Sequence, residues 1–146
     1  MSSLEVAKPA GAARQPVHAA DLHIRAWAPT RESCLAEAVT ALTDSLVRVR
    51  FRAPATTFSR EVRGDTDDEL LAAVLGAVIT NLRSRQEIPL SADVRATPDG
   101  LRLVCAVVDL GAILPAGPVP KGVSPGNAHC LRPGGGRWCC TARIDV

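Results

Sequence analysis

Apolar and polar positions alternate from residue 21 to 27, with Leu22, Ile24 and Ala26 on one side and Asp21, His23, Arg25 and Trp27 on the other. That period of two predicts a half-buried strand. After Pro29 and Thr30 the period changes, and Leu35, Ala38, Val39, Leu42 and Leu46 recur at helical spacing behind a threonine able to cap the first turn. Residues 57–63 have strand-like composition but mixed polarity, which predicts an edge or surface strand. Thr66-Asp67-Asp68-Glu69 has the form of a capping box, and Leu70, Leu71, Val74, Leu75, Val78, Ile79 and Leu82 follow as the broad apolar stripe of a core helix.

Residues 91–97 and 101–110 flank Thr97-Pro98-Asp99-Gly100, a turn sequence that predicts a β-hairpin. Three prolines and two glycines make residues 111–120 a surface loop. A second hairpin is expected from Cys130 and Leu131 through the glycines at 134–136 into residues 137–146, where Trp138, Cys140, Ala142, Ile144 and Val146 share a face. The chain therefore reads as one mixed α/β domain of the α+β type: a two-layer unit, mostly antiparallel sheet packed against two helices. It is expected to span residues 17–146 behind a flexible tail at 1–16.

Length and composition support that reading. The 146 residues suffice for one core, and 47% apolar with 22% charged residues is a globular balance. A net charge of +2 lacks the basic excess of a protein that grips many phosphates, so strong direct nucleic-acid binding is not expected. The five cysteines are odd in number and irregularly spaced, as for reduced thiols in a cytoplasm rather than a disulfide framework. No apolar run approaches membrane-spanning length, and residues 1–15 lack the continuous apolar stretch of a signal peptide.

Asp21 opens the first predicted strand and Asp145 nearly closes the last, each on the face opposite its strand's apolar residues. Were these strands antiparallel neighbours, the two carboxylates would lie close enough to share a hard cation such as Mg²⁺ or Ca²⁺. The alternative is that Asp21 caps a turn after His18 while Asp145 pairs with Arg143 or solvent. Lys121 follows the Pro-rich loop, a setting common for binding residues and equally for solvated lysines. His18 offers acid, base or ligand chemistry, or a local hydrogen bond. His129, Cys130, Cys139 and Cys140 invite a zinc reading, against which stand the missing paired-Cys spacing and the opposite directions of adjacent strand residues. No Walker loop, Gly-x-Ser-x-Gly elbow or Rossmann fingerprint occurs, and no nucleophile is placed beside a general base, so no catalytic residue of its own is assigned.

Residues 17–24, Val-His-Ala-Ala-Asp-Leu-His-Ile, resemble the His-Thr-Ala-Asp-Ile opening of archeases. Residues 65–83 are similar to that family's second helix, Lys121-Gly122-Val123 to its Lys-Ala-Val strand, and residues 138–146 to its terminal Ile-Asp-Val strand. The resemblance implies an accessory protein, not an enzyme, that activates an RtcB-type RNA ligase by promoting its GTP-dependent guanylylation in tRNA splicing or RNA repair. It would place partner activation on Lys121, Asp21, Asp145 and His18, and a divalent cation (Mg, Ca or Mn) on Asp21 and Asp145.

The chain departs from the family pattern at two points. Arg48 stands where an aspartate completes the family's acidic cluster, and its guanidinium could pair with Asp21 or Asp145 in place of the cation; Asp44, one turn earlier, is expected to face solvent. Ser124-Pro125 replaces Thr-Tyr or Thr-Trp, removing a backbone donor where a strand would continue. The alternative function is accordingly a diverged binding or chaperone-like module that keeps the fold without metal-dependent activation.

Overall fold

Both helices begin on a threonine whose hydroxyl takes up a free backbone N–H of the first turn. In the computed structural model, which describes residues 11–16 and 21–146 with the side chains of 12–16 and 125 excepted, α1 spans Arg31–Leu46 and α2 spans Asp67–Arg85. Thr30 Oγ1 accepts from Ser33 N at 3.1 Å while Ser33 Oγ accepts from Thr30 N at 3.3 Å, a capping box closed by serine. At α2, Thr66 Oγ1 accepts from Glu69 N at 3.1 Å, but Glu69 Oε1 reaches one residue further back, to Asp65 N at 2.8 Å. Acidic residues in the first turn of α2 and Arg83 and Arg85 in its last complement the helix dipole.

Among the described residues the strands are β1 Gly11–Pro16, β2 Asp21–Ala28, β3 Val47–Arg50, β4 Thr56–Val62, β5 Glu87–Thr97, β6 Gly100–Asp109, β7 Ile113–Pro115, β8 Gly122–Leu131 and β9 Trp138–Asp145. They form a four-stranded sheet in the order β1-β2-β9-β8, a three-stranded sheet β4-β6-β5 and a ribbon β3-β7, with every pairing antiparallel. Helix α1 packs on β2 and β9 of the first sheet and on β5 of the second; α2 packs on β8 and also reaches β4 and β5. One core results, in which Leu35, Leu71, Leu75, Leu103 and Ile144 are fully buried.

The expected mixed α/β fold with two helices and antiparallel sheets is the one the chain adopts. The hairpin turn also falls as expected, with Thr97 opposite Gly100 around Pro98 and Asp99. Glycine is required there because a Cβ at Gly100 would collide with the Val62 carbonyl oxygen.

Four segments differ from expectation, the first being the opening strand of the second hairpin, which begins at Gly122 rather than Cys130 and pairs with β9 on both sides of a register shift. Residues 11–16, read as flexible tail, pair with β2 from Gly11 opposite Trp27 to Pro16 opposite Leu22. This outer strand takes up the backbone groups along the free edge of β2, a pairing that requires no hydrophobic periodicity. Residues 111–120 are not wholly loop, since Ile113–Pro115 pairs with β3, the direct continuation of α1. Strand β5 begins at Glu87 rather than 91, and Pro89 is accommodated because β5 is an edge strand whose register shifts between Pro89 and Ser91.

The helix N-termini are joined by charge. Arg31 donates to Glu32 at 2.6 Å and to Asp67 at 3.0 Å, so one guanidinium ties the start of α1 to the start of α2. Burial is the largest single influence and would raise the Glu32 pKa, but the Arg31 hydrogen bond, a backbone hydrogen bond and the Arg31 charge together outweigh it and hold this carboxyl below its usual 4.5. Because the folded value is depressed, the stabilisation is complete above about pH 5 and is lost as pH falls through the folded value. Arg31→Ala is expected to cost about 1 kcal/mol at neutral pH, or about 3 °C in Tm, and to flatten the loss of stability between about pH 5 and 3, both measured by thermal unfolding.

Candidate functional site

Strands β2 and β9 run antiparallel in unbroken register, and the pair that ends the ladder is Asp21 opposite Asp145. Residues directly opposite in an antiparallel pair share a face, so both carboxylates project from the same side of the sheet's end. On the other side of β9, Gly122 lies opposite Asp145, and Lys121 N donates to the Asp145 carbonyl oxygen at 2.6 Å. Asp21, Asp145 and Lys121, far apart in sequence, are thus brought to one edge. The Lys121 side chain is exposed and the two aspartates are half-buried.

The partners of the two acids differ from the alternative considered for them. Arg143 turns to Asp21, with Nε 3.8 Å from Oδ2, while Asp145 Oδ2 accepts from Ser124 Oγ at 2.7 Å. Ser124 can reach because β8 bulges there. Its register passes from Val123 opposite Ile144 to Ala128 opposite Ala142, leaving residues 124–127 on the bulged strand. Pro125 contributes no N–H and Gly126 adopts a left-handed φ of 81°, which together account for the interrupted ladder. Beyond the bulge Asp68 regains the strand, accepting from Cys130 N at 2.7 Å and lying 3.6 Å from His129 Nδ1.

His18 lies outside the described residues. Among the described residues no ion pair joins Arg48 to Asp21 or Asp145; Arg48 is exposed on β3, in a groove with Thr43, Asp44 and Ile113. The expectation that Arg48 neutralises the aspartates is corrected: Arg143 stands beside Asp21, because on β9 it sits diagonally across from it on the same face. Asp44 is exposed, as its position opposite the helix's apolar stripe requires. The zinc constellation is not assembled, since Cys130 and Cys140 point inward while His129 and Cys139 occupy the other face. Among the described residues no three His, Cys, Asp or Glu side chains come together as metal ligands.

A groove of about 260 Å³ on the outer face of the same sheet escaped the sequence reading. Its lining includes His23, Arg25, His129 and Arg143, drawn from three strands. Alternation sets His23, Arg25 and Arg143 opposite the apolar faces of their strands, whereas His129 precedes the expected start of its strand at Cys130, and only the register of β2, β9 and β8 aligns the four in one surface.

The carboxylate pair held across two strands, the exposed lysine beside it and the groove along the sheet with two arginines and two histidines in its lining sit on a small mixed α/β domain. A sequence model of the archease protein family matches residues 14–146, and the chain belongs to that family. It is 36% identical over 135 residues to the probable protein archease of Mycobacterium tuberculosis strain CDC 1551, covering 91% of this chain and 74% of that protein; the archease of strain H37Rv matches equally. The fold is similar to the solution structure of a Methanobacterium thermoautotrophicum protein, with a TM-score of 0.65 at 16% identity over 93% of this chain and 99% of that one. It is also similar to a Thermotoga maritima crystal structure described as an archease and possible chaperone, with a TM-score of 0.59 at 16% identity over 92% and 98% of the two chains. No helix among the described residues is long and apolar enough to cross a membrane.

Ser124→Ala is expected to leave the fold intact and cost about 1 kcal/mol, since it removes one hydrogen bond to a half-buried carboxylate. Chemical denaturation compared with wild type measures this.

Proposed function

We propose that this archease is a non-catalytic partner that activates an RtcB-type RNA ligase in the cytoplasm, promoting its guanylylation with GTP in tRNA splicing or RNA repair. The observation that carries this reading is the juxtaposition of Asp21, Asp145 and Lys121 at one sheet end. Two opposed carboxylates and the Ser124 hydroxyl are hard oxygen donors and fit a Mg²⁺, Ca²⁺ or Mn²⁺ ion that keeps much of its water. Asp21 and Asp145 would hold that ion, which supplies positive charge toward phosphate oxygens when bound. Arg143 would release Asp21 when the ion binds. Lys121, exposed at the same edge, would meet the partner's anionic groups as a mobile point charge. The resemblance at residues 17–24 gives His18 a part in the same activation.

A second reading is favoured by one contact. The Arg143 guanidinium already neutralises Asp21, and no third acid joins the pair among the described residues, as in a module that binds its partner without a metal. The two readings separate in a guanylylation assay with purified ligase, GTP and divalent metal. Asp21→Ala, Asp145→Ala and Lys121→Ala are each expected to reduce activation by at least about tenfold, equivalent to about 1.4 kcal/mol of lost transition-state stabilisation, with circular dichroism unchanged. Association without activation by the wild-type protein establishes the second reading instead.

The cation is tested separately by calorimetric titration with Mg²⁺, Ca²⁺ and Mn²⁺. Binding heat is expected for wild type, lost in Asp145→Asn and strengthened in Arg143→Gln, where the competing guanidinium is gone. Absence of heat in both wild type and Arg143→Gln removes the cation from the reading.

A further inference from the structure

Three of the five cysteines meet beneath the four-stranded sheet. Cys130 on β8 and Cys140 on β9 are directly opposite, and their sulfurs are 3.3 Å apart. Cys34, in the first turn of α1, brings a third sulfur to within 3.0 Å of Cys140. These separations are shorter than the roughly 3.5–4 Å of ordinary nonbonded contacts. Opposed residues on antiparallel strands have Cα atoms about 4.5–5.5 Å apart, inside the range a disulfide spans. All five cysteines are free thiols.

We propose that Cys130, Cys140 and Cys34 form an oxidisable thiol triad, in which a peroxide crosslinks Cys130 to Cys140 and Cys34 can take over the bond to Cys140. The triad has a defined point of entry. Cys130 lies on the outer strand of the sheet beside the exposed Leu131 and is the least buried of the three, at 7% against 1% for Cys140 and 0% for Cys34. Its hydrogen bond with Cys140 lowers its pKa against the opposing effects of burial and of Asp67 and Asp68, whereas Cys140 is pushed up by its hydrogen bonds to Cys130 and Cys34. Cys130 is thus the more readily ionised of the pair as well as the one nearest solvent, and the thiolate is the form that attacks peroxide. Cys105 lies apart in the other sheet, where burial pushes its thiol up to about 11. Cys139 faces the opposite side of β9 from Cys140.

The chemistry balances. The Cys130 sulfur attacks a peroxide oxygen; an S–O bond forms, the O–O bond breaks, and water leaves with the thiol proton. The Cys140 sulfur then attacks the sulfenic sulfur of Cys130; the S–S bond forms, the S–O bond breaks, and a second water leaves. Two thiols and one peroxide yield one disulfide and two waters. Exchange follows when Cys34 attacks the Cys140 sulfur, forming the Cys34–Cys140 bond and returning Cys130 as a thiol with the proton Cys34 gives up. The first crosslink ties two strands; the second ties helix α1 to β9.

The test treats the reduced full-length protein with hydrogen peroxide, quenches it by alkylation, and maps disulfides by mass spectrometry. One intramolecular disulfide containing Cys140 is expected, with loss of two hydrogens and no added oxygen. Cys34→Ala should retain Cys130–Cys140 alone, and Cys130→Ala should slow oxidation by about tenfold because the thiolate entry is lost. Cys140→Ala should give no crosslink and leave a sulfenic acid at Cys130 that dimedone traps; Cys140→Ser, read the same way, guards against a packing defect in the alanine variant, and circular dichroism checks both folds. Oxidation confined to Cys139, intermolecular dimers through Cys139, or Cys130 and Cys140 remaining fully alkylatable would each overturn the proposal.

Discussion

The pairing of β2 with β9 is the constraint on which the rest of the structure depends. It joins segments near opposite ends of the sequence, and nearly all intervening chain must fold into the space it closes. The entropic cost of such closure grows only logarithmically with loop length, so burial along the two strands can offset it. Leu22, Ile24 and Ala26 on β2 stand opposite Ile144, Ala142 and Cys140 on β9. A slip of one residue would turn His23, Arg25 and Arg143 into the core and expose the apolar set, which is why this register is strongly specified. The same register places two aspartates face to face. Like charges directly opposite destabilise a ladder, and here the Arg143 guanidinium and the Ser124 hydroxyl offset the repulsion. A local conflict kept at the end of an otherwise consistent ladder is the pattern expected of a functional site rather than a structural one.

The helices hold the strand that completes the site. Arg31 links the two helix starts, and from the first turn of α2 Asp68 reaches β8 at His129 and Cys130. That grip lies on one side of the bulge at 124–127; the Lys121 N–H to Asp145 carbonyl bond lies on the other. The bulged segment is therefore fixed at both ends, and Ser124 is delivered to Asp145 by a strand that could not otherwise bend toward it. Pro125, which breaks the ladder, is a condition of the site's geometry rather than damage to it.

Side-chain periodicity carried most of the fold. The alternation over 21–27, the apolar stripes of α1 and α2, the threonine caps and the Pro98-Asp99 turn each record a local physical preference, and each appears in the structure. The segments that could not be read, β1 and the β3-β7 ribbon, are held by main-chain hydrogen bonds and leave residues such as Val49 and Leu114 exposed. Their pairing leaves no hydrophobic period to detect. At the site, strand phase alone justified naming Asp21 and Asp145 together, but the choice of cationic neighbour was not legible. Arg48 was suggested by family position, whereas Arg143 reaches Asp21 through a diagonal neighbour relation that exists only once the register is known. The thiol triad was half visible: Cys140's inward phase follows from alternation, while Cys34 joins it only through the docking of α1.

Net charge misleads for the same reason. A sum of +2 excludes a strongly basic protein, yet it does not describe how charge is arranged over a sheet whose rows are set by strand register. On this face the acids occupy the end row, while His23 with Arg143, then Arg25 with His129, occupy the rows behind. Arg143 offsets Asp21 where the two regions meet, but Arg25 lies two rows from the acids, beyond the roughly 8 Å over which exposed charges interact in physiological salt, so the outer parts of the two regions keep separate signs. A surface that docks along the strands meets negative charge at one end and positive charge behind it. Such an arrangement fixes orientation and register more than it adds affinity.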